Sequence, residues 1–226
     1  MSTSGHIIRE PLSPKGMLEM FVTKGRPNLI LKDKVPNKYN LPTYRYHEID
    51  FSGCQLLDSI KRQNIIVNIG KDSVIESLTT GFIKTLARLA VGDNGTIPSD
   101  STVPKVPVPT MEELYNEVGR ADADAMILNV GTPTVHEVKL VKTFTASDFP
   151  ITAFFNQAKP TLNEVGLIMI DLAAAPLPRA PVYAPYTVDN KPLDDELLFA
   201  IRTHKSVPFE EANDISVTIR YTIYIE

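Results

Sequence analysis

Cysteine is almost missing from this chain. Cys54 is the only one among 226 residues, so no intrachain disulfide can form and no thiolate metal site can be built within one chain. That fits assembly in a reducing cytoplasm. A basic surplus is missing too: 23 Lys and Arg face 27 Asp and Glu, a net charge of −4, and Lys and Arg form no run. Nucleic-acid binders carry such a surplus or cluster, so no nucleic-acid partner is expected. No apolar run approaches the ~20 residues of a membrane span. The start, Met1 to Gly5, lacks the basic-then-apolar order of a signal peptide, so no membrane association is expected either. Glycine is scarce beside proline, 11 against 18, which points to stiff, extended connections rather than flexible linkers.

Catalytic patterns are also missing. His6, His47, His136 and His204 lie far apart, and none has the His-Glu-x-x-His spacing that puts two ligands on one helical face. No Gly-x-Ser-x-Gly elbow or phosphate loop occurs; Gly92-Asp-Asn-Gly95 lacks the following Gly-Lys-Ser/Thr. Cys54 has no neighbouring His or Lys to lower its pKa and reads as an idle thiol. Asp122 and Asp124, same-face neighbours if extended, read as part of a solvated turn. Asp93, Asn94 and Asp100 offer oxygens to a cation but lack the EF-hand pattern. No catalytic, cofactor or metal residue is assigned, and the chain is not expected to be an enzyme.

With 43% hydrophobic and 22% charged residues, the chain has the balance of a globular protein with a buried core. Residues 1–16, with Pro11 and Pro14, read as an extended arm. Residues 16–22 read as a strand, with 28–31 pairing back on it as a hairpin, and 32–50 read as a long aromatic loop. Residues 64–68 suggest a short strand, and Gly70 a turn. Ser73-Val-Ile-Glu76 is a capping box opening a helix that ends near Thr80. The compact apolar run 86–91 suggests a buried strand, ended by Asn94-Gly95, a pair that tolerates positive φ. After a proline-marked loop, Thr110-Met-Glu-Glu113 is a second capping box and predicts a helix over 111–119. Strands are expected at 126–130, 134–145, 162–170 (bent at Gly166) and 197–203. The last, 215–225, alternates apolar and polar residues at period two, the mark of a long antiparallel strand with one face on a core. The expected fold is α+β: mainly an antiparallel β sandwich or barrel with two short helices and an N-terminal arm. Residues 1–60 are expected to form the arm, hairpin and loop, and 61–226 the α+β domain.

The succession Ala-Val-Gly-Asp-Asn-Gly (90–95), a proline-rich gap, Leu114-Tyr-Asn-Glu-Val118 and Arg120 resembles the N-terminal module of tail-collar fibre proteins of tailed bacteriophages. There a Val-Gly-Asp-Gly-Gly-like turn precedes a Leu-x-x-Glu-Val-x-Arg helix and then strands. Asn163-Glu-Val-Gly-Leu-Ile168 is similar to the family's Glu-Leu-Gly-Leu strand, and residues 16–22 and 64–70 look like related tail and baseplate proteins. Asn94 departs from the family by replacing the second glycine of the turn. The sequence closes after its last strand without the shaft or tip of a whole fibre, so attachment rather than receptor recognition is expected.

The resemblance implies a structural protein of a virion tail, at the baseplate, fibre base or collar, assembled in the host cytoplasm. Its expected partners are other tail, baseplate or fibre proteins and further copies of itself. Rigid loops lose little entropy when ordered against a partner, and tyrosines are enriched at interfaces. The expected subunit contacts are therefore Pro98, Pro104 and Pro107 with Tyr39, Tyr44, Tyr46, Tyr183 and Tyr186. A carbohydrate-binding module, and less so a small hydrolase, are the alternatives.

Overall fold

Period-two alternation at residues 215–225 does form a long strand, at the heart of an antiparallel sheet. The computed structural model describes residues 14–34, 44–80, 84–132, 135–171, 178–187 and 191–225. Strands β1 (Pro14–Lys24), β2 (Asn28–Lys34), β3 (Tyr44–Asp50), β4 (Gln55–Gln63) and β5 (Ile65–Ile66) precede helix α1 (Asn68–Thr80). Then come β6 (Lys84–Gly92), β7 (Thr96–Ile97), β8 (Asp100–Pro104), β9 (Glu117–Asp122), β10 (Ala125–Thr132) and β11 (Val135–Thr145). The last are β12 (Thr161–Asp171), β13 (Val182–Tyr183), β14 (Glu196–Pro208) and β15 (Ile215–Ile225). One sheet runs β10-β11-β15-β1-β4 and the other β13-β9-β6-β12-β14-β5, with β2-β3 and β7-β8 as separate ribbons.

The two large sheets pack face to face as a sandwich, not a closed barrel. Leu18 and Met20 of β1, Leu140 and Phe144 of β11, and Val217, Ile219 and Tyr221 of β15 meet Leu89 and Val91 of β6, Val165 and Leu167 of β12, and Phe199 of β14. Each large apolar side chain so buried contributes roughly 1.5–3 kcal/mol of transfer free energy. One end is closed by rings: Phe149 contacts Phe144, Phe154, Phe209 and Tyr183, with centroids 4.8–6.0 Å apart. A third layer covers the far face of the six-stranded sheet. Val67, Ile69, Met111 and Leu114 pack there on Ala87, Ala90, Ile168, Ile170, Leu198 and Ile201.

Several expectations need correction. Among the described residues there is one α-helix, not two. Residues 111–119 form turns and the start of β9, because Pro109 and Gly119 bound a stretch too short to be helical without tertiary help. The amides of Tyr115 and Asn116 go instead to a buried carboxylate, Glu164. Helix α1 starts five residues before its capping box, and Gly70 lies inside it rather than in a turn. A Cβ on Gly70 would sit 2.5 Å from the carbonyl oxygen of Phe199, so glycine is what lets the helix lie on β14. No hairpin joins 16–22 to 28–31: β1 pairs with β15 and β4, and β2 pairs with β3. The expected long loop therefore contains a strand, and the boundary placed at 60/61 falls inside β4.

Candidate functional site

Gly92 to Gly95 leads out of β6 on the outer face of the six-stranded sheet, beside Glu164 of β12. Glu164 is fully buried, and its carboxylate accepts three backbone N–H groups, from Asn94 (2.9 Å), Tyr115 (2.7 Å) and Asn116 (3.1 Å). Its neighbour Asn163 accepts from the Gly95 amide at 2.5 Å and donates to the Asp93 carbonyl. Asp93 in turn accepts from the Asn116 side chain (2.5 Å) and the Phe155 amide (2.6 Å). Lys105 donates to the Asn94 carbonyl and lies 4.5 Å from the centre of the Tyr115 ring. Burial pushes the Glu164 carboxyl up to about 7, against the pull of the three amides and Lys105. Burial also raises Asp93.

The glycines here serve close approach, not unusual backbone angles. Neither Asn94 nor Gly95 has positive φ; Gly25 and Asp214 do. A Cβ on Gly95 would fall 2.4 Å from the Asn163 carbonyl oxygen, and one on Gly92 2.5 Å from that of Asn116.

Next to this joint lies a cleft of about 810 Å³, lined by Leu114, Tyr115, Arg120, Tyr186, Lys191 and Glu196 among others. Its floor is an ionic network. The wholly buried Glu196 carboxylate meets Arg88 (2.6 Å), Arg120 (3.0 Å) and Arg179 (3.0 Å). Arg120 also forks onto Glu117, with both contacts at 2.6 Å, and Arg179 pairs with Asp195. Arg88 Nε lies 2.9 Å from Asp122, an ion pair without hydrogen-bond alignment. Burial works against the Arg120 charge, but the bonds to Glu117 outweigh it and raise its pKa. The Tyr186 hydroxyl donates to Glu117 at 2.7 Å; burial and that carboxylate raise its pKa. Every guanidinium in the network is committed to a carboxylate, so the floor is scaffolding for the cleft.

No protein-family model matches the chain, and no curated protein is similar to it. The expected contact residues are dispersed. Pro98 is exposed, Pro104 half-buried and Pro107 buried. Tyr183 is half-buried with its edge on Phe149, and Tyr186 lines the cleft. Tyr44 and Tyr46 lie in β3 opposite Lys34 and Lys32, and Tyr39 lies outside the described residues. More exposed apolar side chains flank the joint: Val106 at 79% and Phe155 at 86%, with Val103 and Val108.

Among the described residues no group of three or more His, Cys, Asp or Glu is placed to hold a metal. Asp122 and Asp124 part company: Asp122 accepts from the Arg179 amide, Asp124 from Lys142 and the Thr143 amide. His204 is buried, and burial lowers it to about 4. His6 lies outside the described residues. Among them, no helix is long and apolar enough to cross a membrane.

Sequence reading missed Glu164 and the arginine network. A signal was present: Arg88 interrupts the apolar run 86–91 and Glu164 interrupts 162–170, and a charge inside a buried strand requires a partner.

Proposed function

We propose that the chain is a structural, non-enzymatic component of a bacteriophage virion tail, at the baseplate, fibre base or collar, acting through protein–protein assembly. One observation carries this reading. Three segments that carry the family resemblance, 90–95, 114–120 and 163–168, lie apart in sequence yet meet at Glu164, although 114–120 is not the helix that the resemblance implies. Motifs that merely coincided by chance would have no reason to share one buried carboxylate. The joint braces loop 96–109 and the segment at Phe155, each of which carries exposed apolar side chains, Val106, Val108 and Phe155, that suit contact with a neighbouring subunit.

The test is light scattering after size-exclusion chromatography, alone and with candidate tail, baseplate and fibre proteins. A homo-oligomer, or a stable complex with one of them, is expected, and Phe155→Ser together with Val106→Ser should weaken it. A monomer that joins no virion protein would overturn the reading.

A second reading has its own support. The rings of Tyr115 and Tyr186 line the cleft together with Glu112 and Glu113, the mixture of aromatic faces and carboxylates that holds a sugar. Titration with a panel of mono- and oligosaccharides, read by side-chain NMR at Tyr115, decides it. Saturable binding abolished by Tyr115→Ala would favour a carbohydrate-binding module.

A further inference from the structure

The chain crosses from one sheet to the other at Asn64. Upstream, β4 pairs with β1; downstream, β5 pairs with β14 in the opposite sheet. The Asn64 amide still bonds the Gly16 carbonyl of β1 at 3.1 Å, so the residue pins the two sheets together at this corner. Register then determines which side chains gather there. Arg62 and Tyr221 both stand opposite Leu18, one on each side of β1, and therefore share the inward face with that buried residue. Across the gap, Ile65 pairs with Ile201, and the same register one step on brings Arg202 opposite Asn64.

Four polar side chains thus converge from both sheets, and they are short of partners. The buried Asn64 side chain and Tyr221 hydroxyl have only each other within reach, and the buried Nε of Arg202 has no hydrogen bond. An orphan such as that Nε is rare and marks a missing partner. The charges are unbalanced as well. Among the described residues neither Arg62 nor Arg202 is paired with a carboxylate; Arg62 has only a 3.5 Å contact to the carbonyl of Lys61. On the outer face of the same sheet, by contrast, Lys61 and Arg220 both reach Glu19. Asp58, the one acidic residue of β4, is taken by Lys205. Burial, and after it the neighbouring guanidinium of Arg62, lowers the Arg202 pKa.

We propose that this corner is an oxyanion site, in which a carboxylate or phosphate group sits between the guanidiniums of Arg62 and Arg202, with the Asn64 amide and the Tyr221 hydroxyl as further donors. Guanidinium forks match the planar geometry of either group. Arg62 is exposed at the mouth, Arg202 and Asn64 are half-buried, and Tyr221 lies at the base. An oxyanion cancels the repulsion between the two arginines and gives the orphaned Nε of Arg202 an acceptor at once. The site stands apart from the joint at Glu164 and does not depend on the assembly reading.

Side-chain NMR at the arginine Nε and asparagine amide positions tests it, with inorganic phosphate and N-acetylglutamate titrated separately at ionic strength held constant with sodium chloride. Saturable shifts of Arg202 and Asn64 are expected, and the anion that binds tighter identifies the source. Arg62→Gln, on an exposed edge strand, should weaken binding about tenfold, the order for one charge-assisted bond. Tyr221→Phe, which keeps the ring, should weaken it while leaving the thermal midpoint in anion-free buffer within a few degrees. The proposal is overturned if neither anion gives a saturable shift, or if both variants bind as tightly as the unaltered chain.

Discussion

At the scale of single residues, two buried carboxylates hold this molecule's polar structure in place. Replacing Glu164 with Gln leaves one acceptor oxygen for three amides and turns an NH2 group toward one of them. A loss of about 1–3 kcal/mol is expected in urea melts at pH 5. The pH dependence has a definite sign. The folded carboxyl, at about 7, is a weaker acid than the unfolded one at 4.5, so the folded state holds the proton more tightly. Its contribution is complete below 4.5 and is lost as pH rises through 7, a swing of up to about 3 kcal/mol. The gap between the unaltered chain and Glu164→Gln should therefore narrow from pH 5 to pH 8; a widening gap would refute it. His204 works in the opposite sense. Its folded value of about 4 lies below the ordinary 6.5, so stability is lost as pH falls between them. His204→Asn should reduce the acid sensitivity of the melt over that range. Glu196 is the more costly position: Glu196→Gln leaves three guanidiniums short of a charge they share, with an expected loss of about 3–5 kcal/mol in the same assay.

At the scale of elements, the turn after β6 is held by contact rather than by backbone preference. Gly95→Ala drives a methyl into the Asn163 carbonyl without any strain in φ, so about 1–3 kcal/mol should be lost. Replacement of Asn94 by Gly, the family's residue there, should change stability by far less, since Asn94 is exposed and bonds Glu164 through its main chain. These turn residues were visible in the sequence; what they touch was not. The strands that declared themselves, β6, β11, β12, β14 and β15, are those with one or both faces in the core, where burial enforces a pattern. Strand β4 was missed because it is an edge strand of which only Ile60 packs on the core, with Leu56 and Leu57 exposed and little to impose alternation. The false helix at 111–119 had a sound local signal, but Glu164, some fifty residues downstream, captured its amides. Local propensity lost to a tertiary partner that no window of sequence contains. The same holds for Phe149, Phe154 and Phe209, whose shared cluster joins segments with no pattern in common.

At the scale of the whole molecule, the first and last described strands are neighbours. β1 lies between edge strand β4 and the central strand β15, with Gly16 opposite Ile223. That placement bears on synthesis. While the chain emerges from a ribosome, the six-stranded sheet has all its described strands once residue 208 is out, but the five-stranded one lacks its central strand until β15 appears. One edge of β1 must wait until β15 is made, and pairings of such sequence separation are the slow ones. Stalled chains that carry a linker long enough to place residue 210 outside the exit tunnel should accordingly be sensitive to protease within 14–24 while 161–208 is already protected, and adding residues 211–225 ahead of the linker should protect both. Equal protection in both lengths would refute this order. An unmated β1 is in the meantime a strand seeking an eleventh-hour partner, and the β15 of another nascent copy would serve it as well as its own.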